Sequence, residues 1–512
     1  MKQKYIHIAR LGLFVIIALT YTAFRFNILI HTPPASKFDD SGSYLRAAEV
    51  SLFSLDFWTV NRPPFVPLIY KILGNDLLKI SIFQIIFSSL CWGILAVVAS
   101  RIFKTRIIQL ISFTIILLFG LSADILRWDT IVMSESISIS LFALWIANWI
   151  WLIERWQWRK VISLIATTGC FILGRETNAW IVLMIAGLLL CIGIIWRSQR
   201  KVLLISIVFF LLFIVNSVCS DQGKRWVMPF LNVLGTRILP SPEYLSYFEK
   251  KGMPVNDTLM QYENHWSTAL RTQINKNPEL QDFKLWLMSS GKRAYITFLL
   301  SHPEPLLQDP LRNFVNMMSA EVSTYEPKGF TPVLNKPLAE IIFPERWVWA
   351  LVWIFPFIMG LLIPMAISKK LAKLIIPLMM LILVYPQAVI AYHGDSMGLT
   401  RHPLLTAIQL RLGIWLTLLF VLDWIVIEVI QRSHEVKAFL ANNRNMARLL
   451  TCIGLVSLLL TTAVYLISGK EKIAIYWSQW VGAGAGILFL IIGCAMFIRN
   501  SKGQGFIIHV EI

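Results

Sequence analysis

The feature that most limits what this chain can fold into is a series of sparsely charged apolar runs long enough to cross a bilayer. They fall near 8–30, 77–100, 107–122, 131–153, 161–174, 179–196, 202–219, 347–367, 374–392, 404–430, 449–468 and 476–498. A spanning helix needs roughly 20 such residues, so the pattern predicts an all-α polytopic membrane protein with about 12 transmembrane helices. Charged residues make up 15% of the chain, against roughly 25% for a soluble protein.

The formal net charge of +18 is not a nucleic-acid signature. The basic residues sit in short clusters between apolar runs: Lys2, Lys4 and Arg10; Arg101, Lys104 and Arg106; Arg155, Arg159 and Lys160; Arg197, Arg200 and Lys201; Lys369, Lys370 and Lys373; Arg432, Lys437, Arg444 and Arg448. All fall on one side of the membrane if both termini are cytoplasmic, as the positive-inside bias requires. Arg25 interrupts the end of the first run and no small-residue cleavage site follows, so an uncleaved first span is expected. The six cysteines are scattered in or beside apolar runs with no CxxC pair, which indicates neither a disulfide framework nor a zinc site.

The opposite face then receives the loop 31–76, the turn 123–130, the residues 174–178, a long insert near 220–346 and the stretch 392–402. The insert holds 13 of the 29 acidic residues and reads as a small helical domain on the membrane surface. Its Asn256-Asp257-Thr258 fits a glycosylation sequon. In the loop 31–76, Leu45, Ala48, Leu52 and Leu55 recur at helical spacing, opposite Ser43, Arg46 and Glu49. Too short and too charged to span, the segment is expected to lie along the membrane with its acids at one end.

Candidate chemical groups collect on that face. Asp39 and Asp40 precede the surface helix, where an acid caps backbone N–H groups or serves as a general base; a capping Asp can do both. Arg62, before Pro63 and Pro64, is placed either to hold a phosphate or to snorkel from a turn. Asp124, Arg127 and Asp129 precede Glu135, which lies about a turn into the run 131–153 and there needs a cavity or a partner. Arg175 and Glu176 suit ion pairs with each other or with neighbours. His393 and Asp395 resemble a metal-ligand pair loosely and two polar loop residues more closely. Arg401 and His402 follow, and Arg411, inside an apolar run, requires an anion or a carbonyl cage.

In order and type these residues resemble the GT-C superfamily of membrane glycosyltransferases, which includes protein O-mannosyltransferases and lipid A aminoarabinose transferases. The resemblance is carried by Asp39-Asp40 with Tyr44 in D-x-x-x-Y spacing, RPPFVPLIY, Ser134-Glu135, Arg175-Glu176 and Arg401-His402-Pro403, over roughly residues 1–430. It implies sugar transfer from a polyprenyl-phosphate-linked donor to an extracytoplasmic acceptor, with inversion; a single uncleaved polytopic chain with few sequons suits a bacterial inner membrane. Asp40 would be the catalytic base with Asp39 as runner-up, and Tyr44, Arg62, Glu135, Arg175, His393, Arg401 and His402 would bind substrate. Ser41 stands where many relatives have Glu, and no second Asp motif is evident, so dependence on a divalent cation is left open. The domains expected are a catalytic transmembrane module at 1–219, the insert at 220–346 and further transmembrane helices at 347–512. Two other readings stand beside this one: a transporter or flippase for a lipid-linked sugar, and a non-catalytic membrane assembly subunit.

Overall fold

A computed structural model describes residues 2–32, 36–38, 40–196, 200–319, 323–344 and 374–431. Among these, all extended regular structure is helical, apart from an isolated parallel bridge between Ser36 and Ile131. Seven helices are long and apolar enough to cross a membrane: Gly12–His31, Leu77–Ile102, Glu135–Glu154, Glu176–Ile195, Lys201–Gln222, Ile375–Gly394 and Leu404–Trp424. Each matches an apolar run. The run 107–122 becomes a broken pair, Arg106–Gly120 and Ala123–Thr130, bent by 54°, and would make an eighth span. The run 161–174 forms the helix Trp158–Gly174, whose 17 residues extend only about 25 Å. The runs 347–367, 449–468 and 476–498 lie outside the described residues.

The chain divides into two compact units, one made of Met1–Ala99, Phe113–Phe343 and Met379–Leu410, the other of Ser100–Ser112, Pro344–Leu378 and Arg411–Ile512. In the second unit, Asp423 accepts from the Lys104 and Thr105 backbone N–H groups at 3.0 and 2.8 Å, capping the helix that begins at Arg106. Arg411 has the carbonyl contact its position demands, donating to Pro344 O at 2.9 and 2.8 Å.

In the first unit the helix Glu135–Glu154 is central. Buried residues make up 78% of its span, against 22% for Lys201–Gln222, whose apolar side chains face outward. Serines are tolerated on the central helix because they bond within the bundle: Ser140 donates to Ser136 O, and Ser138 accepts from Asn178. Arg25, fully buried, pairs with Asp129 at 2.8 Å and also donates to Gly120 O, Tyr21 and Ser88. Asp129 accepts from Ser136 at 2.7 Å as well. The pair is therefore satisfied on all sides, and it fixes the turn that leads into Glu135.

The insert is helical, as its sequence indicates. Its core comprises Phe230, Phe248, Leu259, Phe283, Trp286, Leu287 and Phe298 with their neighbours. Asn256 of the sequon accepts from Leu259 N and donates to Glu279 O, both at 2.8 Å, so its amide is engaged in a helix cap. Arg225 ties the start of the insert to the first loop: it pairs with Glu176 at 2.7 Å and donates to Val60 O and Trp58 O.

The surface helix in the first loop differs from its expected register. It runs Ser41–Glu49 and stops there, with Val50 extended. Its buried face is Ser41, Tyr44, Ala47 and Ala48, whereas Leu55 is 81% exposed on a separate short helix. Lys71 sets the stop by donating to Ala48 O at 3.0 Å and Val50 O at 2.9 Å, satisfying carbonyls that another turn would have used.

Candidate functional site: a carboxylate–guanidinium cluster

Three backbone features bring distant residues together at one end of the first unit. The helix Ser41–Glu49 presents Asp40 and Tyr44. Pro64 caps the helix Phe65–Ile72 and leaves Arg62 just outside it. The Ser36–Ile131 bridge, with Ser36 N bonded to Thr130 O at 2.6 Å and Val132 N to Ser36 O at 3.2 Å, brings the segment before Asp40 beside the one before Glu135.

Asp40 stands at the N-cap position, yet its side chain makes no capping bond. Both oxygens serve elsewhere: Oδ1 accepts from Arg62 Nη2 at 2.6 Å, and Oδ2 from Arg401 Nη1 at 2.9 Å. Arg401 is shared. Its Nε donates to Glu135 Oε1 at 2.8 Å, and its Nη1 also donates to the Tyr325 hydroxyl at 2.8 Å. The Tyr325 ring lies 4.7 Å from the guanidinium carbon, in cation–π range, and is itself held by Phe38 and Trp128. Arg175 approaches Glu135 Oε1 at 3.5 Å. Arg62 is fixed by Ser43 Oγ at 2.6 Å and by the Tyr44 ring at 4.8 Å. Tyr44 in turn donates to Ser134 at 3.0 Å.

The electrostatics follow from this count of partners. Burial pushes the Asp40 carboxyl up, but Arg62 and Arg401 outweigh it and hold the group at about 2, below its usual 3.8. Burial disfavours charge on Arg401 too; Glu135, Tyr325 and Asp40 more than compensate, so it stays a cation. Three guanidiniums face two carboxylates, leaving one positive charge in excess. Asp40 is 35% exposed whereas Glu135 is sealed, so the cluster opens on the Asp40 side. Glu135 Oε2 is buried with no hydrogen-bond partner.

Of the sequence candidates, Asp40, Tyr44, Arg62, Glu135, Arg175 and Arg401 converge here. Asp39 lies outside the described residues. His402 and His393 do not join the cluster. His402 contacts Asp395 at 3.3 Å and lines a small cleft with Thr177, Trp180 and Gln387. His393 donates to Leu306 O at 3.0 Å and lines another with Arg237, Tyr244 and Tyr295. The loose His393–Asp395 pairing does not form, because Asp395 is taken by Asn232 at 2.8 Å and by His402. Glu176 pairs with Arg225 rather than Arg175.

Tyr325 was not visible as a candidate: it stands in a stretch with no periodicity, and its hydrogen bond and ring contact with Arg401 are what mark it. Among the described residues, no three His, Cys, Asp or Glu side chains come together. Asp40 and Glu135 are bridged by Arg401, so as arranged they do not fit a divalent cation.

Comparison of the sequence with known protein families finds no match, and comparison with curated proteins finds none either.

Proposed function

We propose that this chain is an integral-membrane glycosyltransferase of the GT-C type, moving a sugar from a polyprenyl-phosphate-linked donor to an acceptor on the extracytoplasmic side of a bacterial inner membrane. The full complement of about 12 spans belongs to this proposal. The observation that supports it most is Arg401: a residue 361 positions from Asp40 and 266 from Glu135 bonds to both, in a half-open cluster with spare positive charge.

The donor phosphate is an anion that competes with Asp40 for Arg401 and Arg62, since guanidinium forks suit phosphate as well as carboxylate. The acceptor oxygen or nitrogen attacks the anomeric carbon as the bond to the phosphate oxygen breaks. The electron pair of that bond leaves with the lipid phosphate, where the guanidiniums stabilise it, and the acceptor proton passes to Asp40. Releasing Asp40 from its cations makes it a stronger base at the moment a donor is present. Glu135 stays on Arg401 throughout and holds that guanidinium in place.

The test is Asp40→Asn in purified, folded protein supplied with a lipid-linked sugar and candidate acceptors. Release of polyprenyl phosphate should fall by about 10²–10⁴-fold. Full turnover by that variant removes Asp40 from the role. Movement of intact donor across a vesicle, without cleavage, replaces the transferase with a transporter.

A further inference from the structure

We infer that the segment Pro303–Met318 of the insert is an in-plane membrane anchor, seated at the boundary between acyl chains and headgroups of the leaflet on the insert's side. Its partner is the bilayer lipid itself. The inference rests on where this non-spanning segment lies and on how its exposed residues are ordered. It does not depend on the chemistry proposed for the cluster.

The segment comprises the helices Pro303–Arg312 and Phe314–Met318. It runs along the end of the span Ile375–Gly394 rather than beyond it. His393 donates to Leu306 O at 3.0 Å, and Asn313 donates to the Tyr392 hydroxyl at 3.4 Å. Deeper in the span, the Tyr385 hydroxyl donates to Leu307 O, and the Tyr385 ring lies 6.1 Å from that of Phe314. Tyr385 precedes Gly394 by nine residues, about 13 Å of helix. A tyrosine ring reaching outward recovers only part of that distance, so Leu307 and Phe314 are held below the end of the span. Interfacial helices sit about 5–10 Å into the boundary region.

The exposed residues form two adjacent rows. Leu307, Leu311 and Val315 are 49%, 59% and 57% exposed and follow Pro303 at four-residue steps. Beside them run Glu304, Gln308, Arg312 and Asn316, all exposed. The third face is occupied: Pro310, Met317 and Met318 are buried. One apolar row and one polar row, side by side above a packed face, match a helix lying at the water–lipid boundary. A wholly aqueous setting would leave three large aliphatic side chains in water at membrane depth, and the hydrocarbon core would strand the polar row. Arg312, 70% exposed and 3.6 Å from Asp309, stands in the polar row, where an in-plane helix would meet headgroups. Tyr325, whose ring covers Arg401, follows Met318 by only seven residues, so the lipid-seated helix and the cover of the cluster belong to one segment.

The test uses the full chain with its six native cysteines replaced, reconstituted into phospholipid nanodiscs. Single substitutions Leu307→Cys, Leu311→Cys, Val315→Cys, Gln308→Cys and Asn316→Cys are spin-labelled. Collision rates with lipid-soluble oxygen and a water-soluble nickel chelate are then measured for each. All five sites are exposed, so the fold tolerates them, and monodisperse elution checks this. The oxygen-to-nickel ratio should be several-fold higher at 307, 311 and 315 than at 308 and 316. Equal, high nickel access at all five sites would place the segment in water and overturn the inference. Low access of both probes at the three aliphatic sites would overturn it as well, since protein would then cover them.

Discussion

Arg401→Gln is the perturbation whose cost the structure sets most clearly. Glu135 is sealed from solvent, and its strongest partner is Arg401 Nε at 2.8 Å. Without it, Glu135 retains Arg175 at 3.5 Å, an ion-pair distance with no hydrogen bond, while its second oxygen already lacks a partner. Stranding one member of a buried pair costs about 3–5 kcal/mol. The simultaneous loss of the Asp40 contact adds little, because that carboxylate is partly solvated and keeps Arg62. For about 500 residues unfolding cooperatively, an entropy near 2 cal/mol/K per residue converts this to a Tm drop of about 3–5 °C. Adding Glu135→Gln removes the stranded charge, so the double variant should regain about 2–3 kcal/mol over Arg401→Gln alone. The assay is thermal unfolding followed by tryptophan fluorescence in one detergent for the wild type, both single variants and the double. An Arg401→Gln protein within about 1 kcal/mol of wild type, or a double variant no more stable than that single, would refute the reasoning.

Acid should act on Asp40 with a defined sign. Its carboxyl is depressed to about 2 from 3.8, so its contribution to stability is complete above pH 3.8 and disappears as pH falls toward 2. With a third of the group exposed, that contribution is about 1 kcal/mol or less, and Asp40→Asn should flatten the acid limb of a Tm–pH curve. In turnover, donor phosphate drawing the guanidiniums away should move the acid limb of kcat to higher pH than that of kcat/KM; coincident limbs would show that Asp40 stays paired. Gly223→Ala places a Cβ 2.3 Å from Thr59 O and 2.9 Å from Val60 O, so the first loop must shift at about 1–3 kcal/mol, read as a lower Tm and faster proteolysis there. Arg25→Met leaves Asp129 buried without its cation and should destabilise by about 3–5 kcal/mol, with Asp129→Asn added in the same chain recovering part.

The spans were legible because a bilayer admits few alternatives: seven described helices coincide with apolar runs. At 106–130 the sequence shows a run and a separate turn but not the 54° angle between them; Arg25, 95 positions away, donates to Gly120 O at that break. Asp40, Glu135 and Arg401 could be picked out one by one: Asp40 as an acid before the surface helix, Glu135 as an acid inside an apolar run, Arg401 as a cation in the loop on the same face. Their partnership could not, because periodicity reports only neighbours within a turn or two. The same limit hides the long-range partners of Glu176 and the histidines: Glu176 meets Arg225, 49 positions away, and His393 serves a backbone carbonyl of the insert, 87 positions away. Tyr325 left no sequence signal, because one aromatic in a loop resembles any other until a cation is found beneath it.

The reach of Arg401 also constrains how the protein is made. Glu135 is synthesised 266 residues ahead of its principal partner. At roughly 5–20 residues per second, the ribosome needs about 15–50 s to deliver that arginine. During this interval the central helix carries an acid with only Arg175 to answer it. The half-made bundle must keep that acid hydrated, neutral or shielded by the insertion machinery until Arg401 arrives. Chains truncated before residue 401 would stay in that condition permanently, which makes them natural targets for membrane quality control.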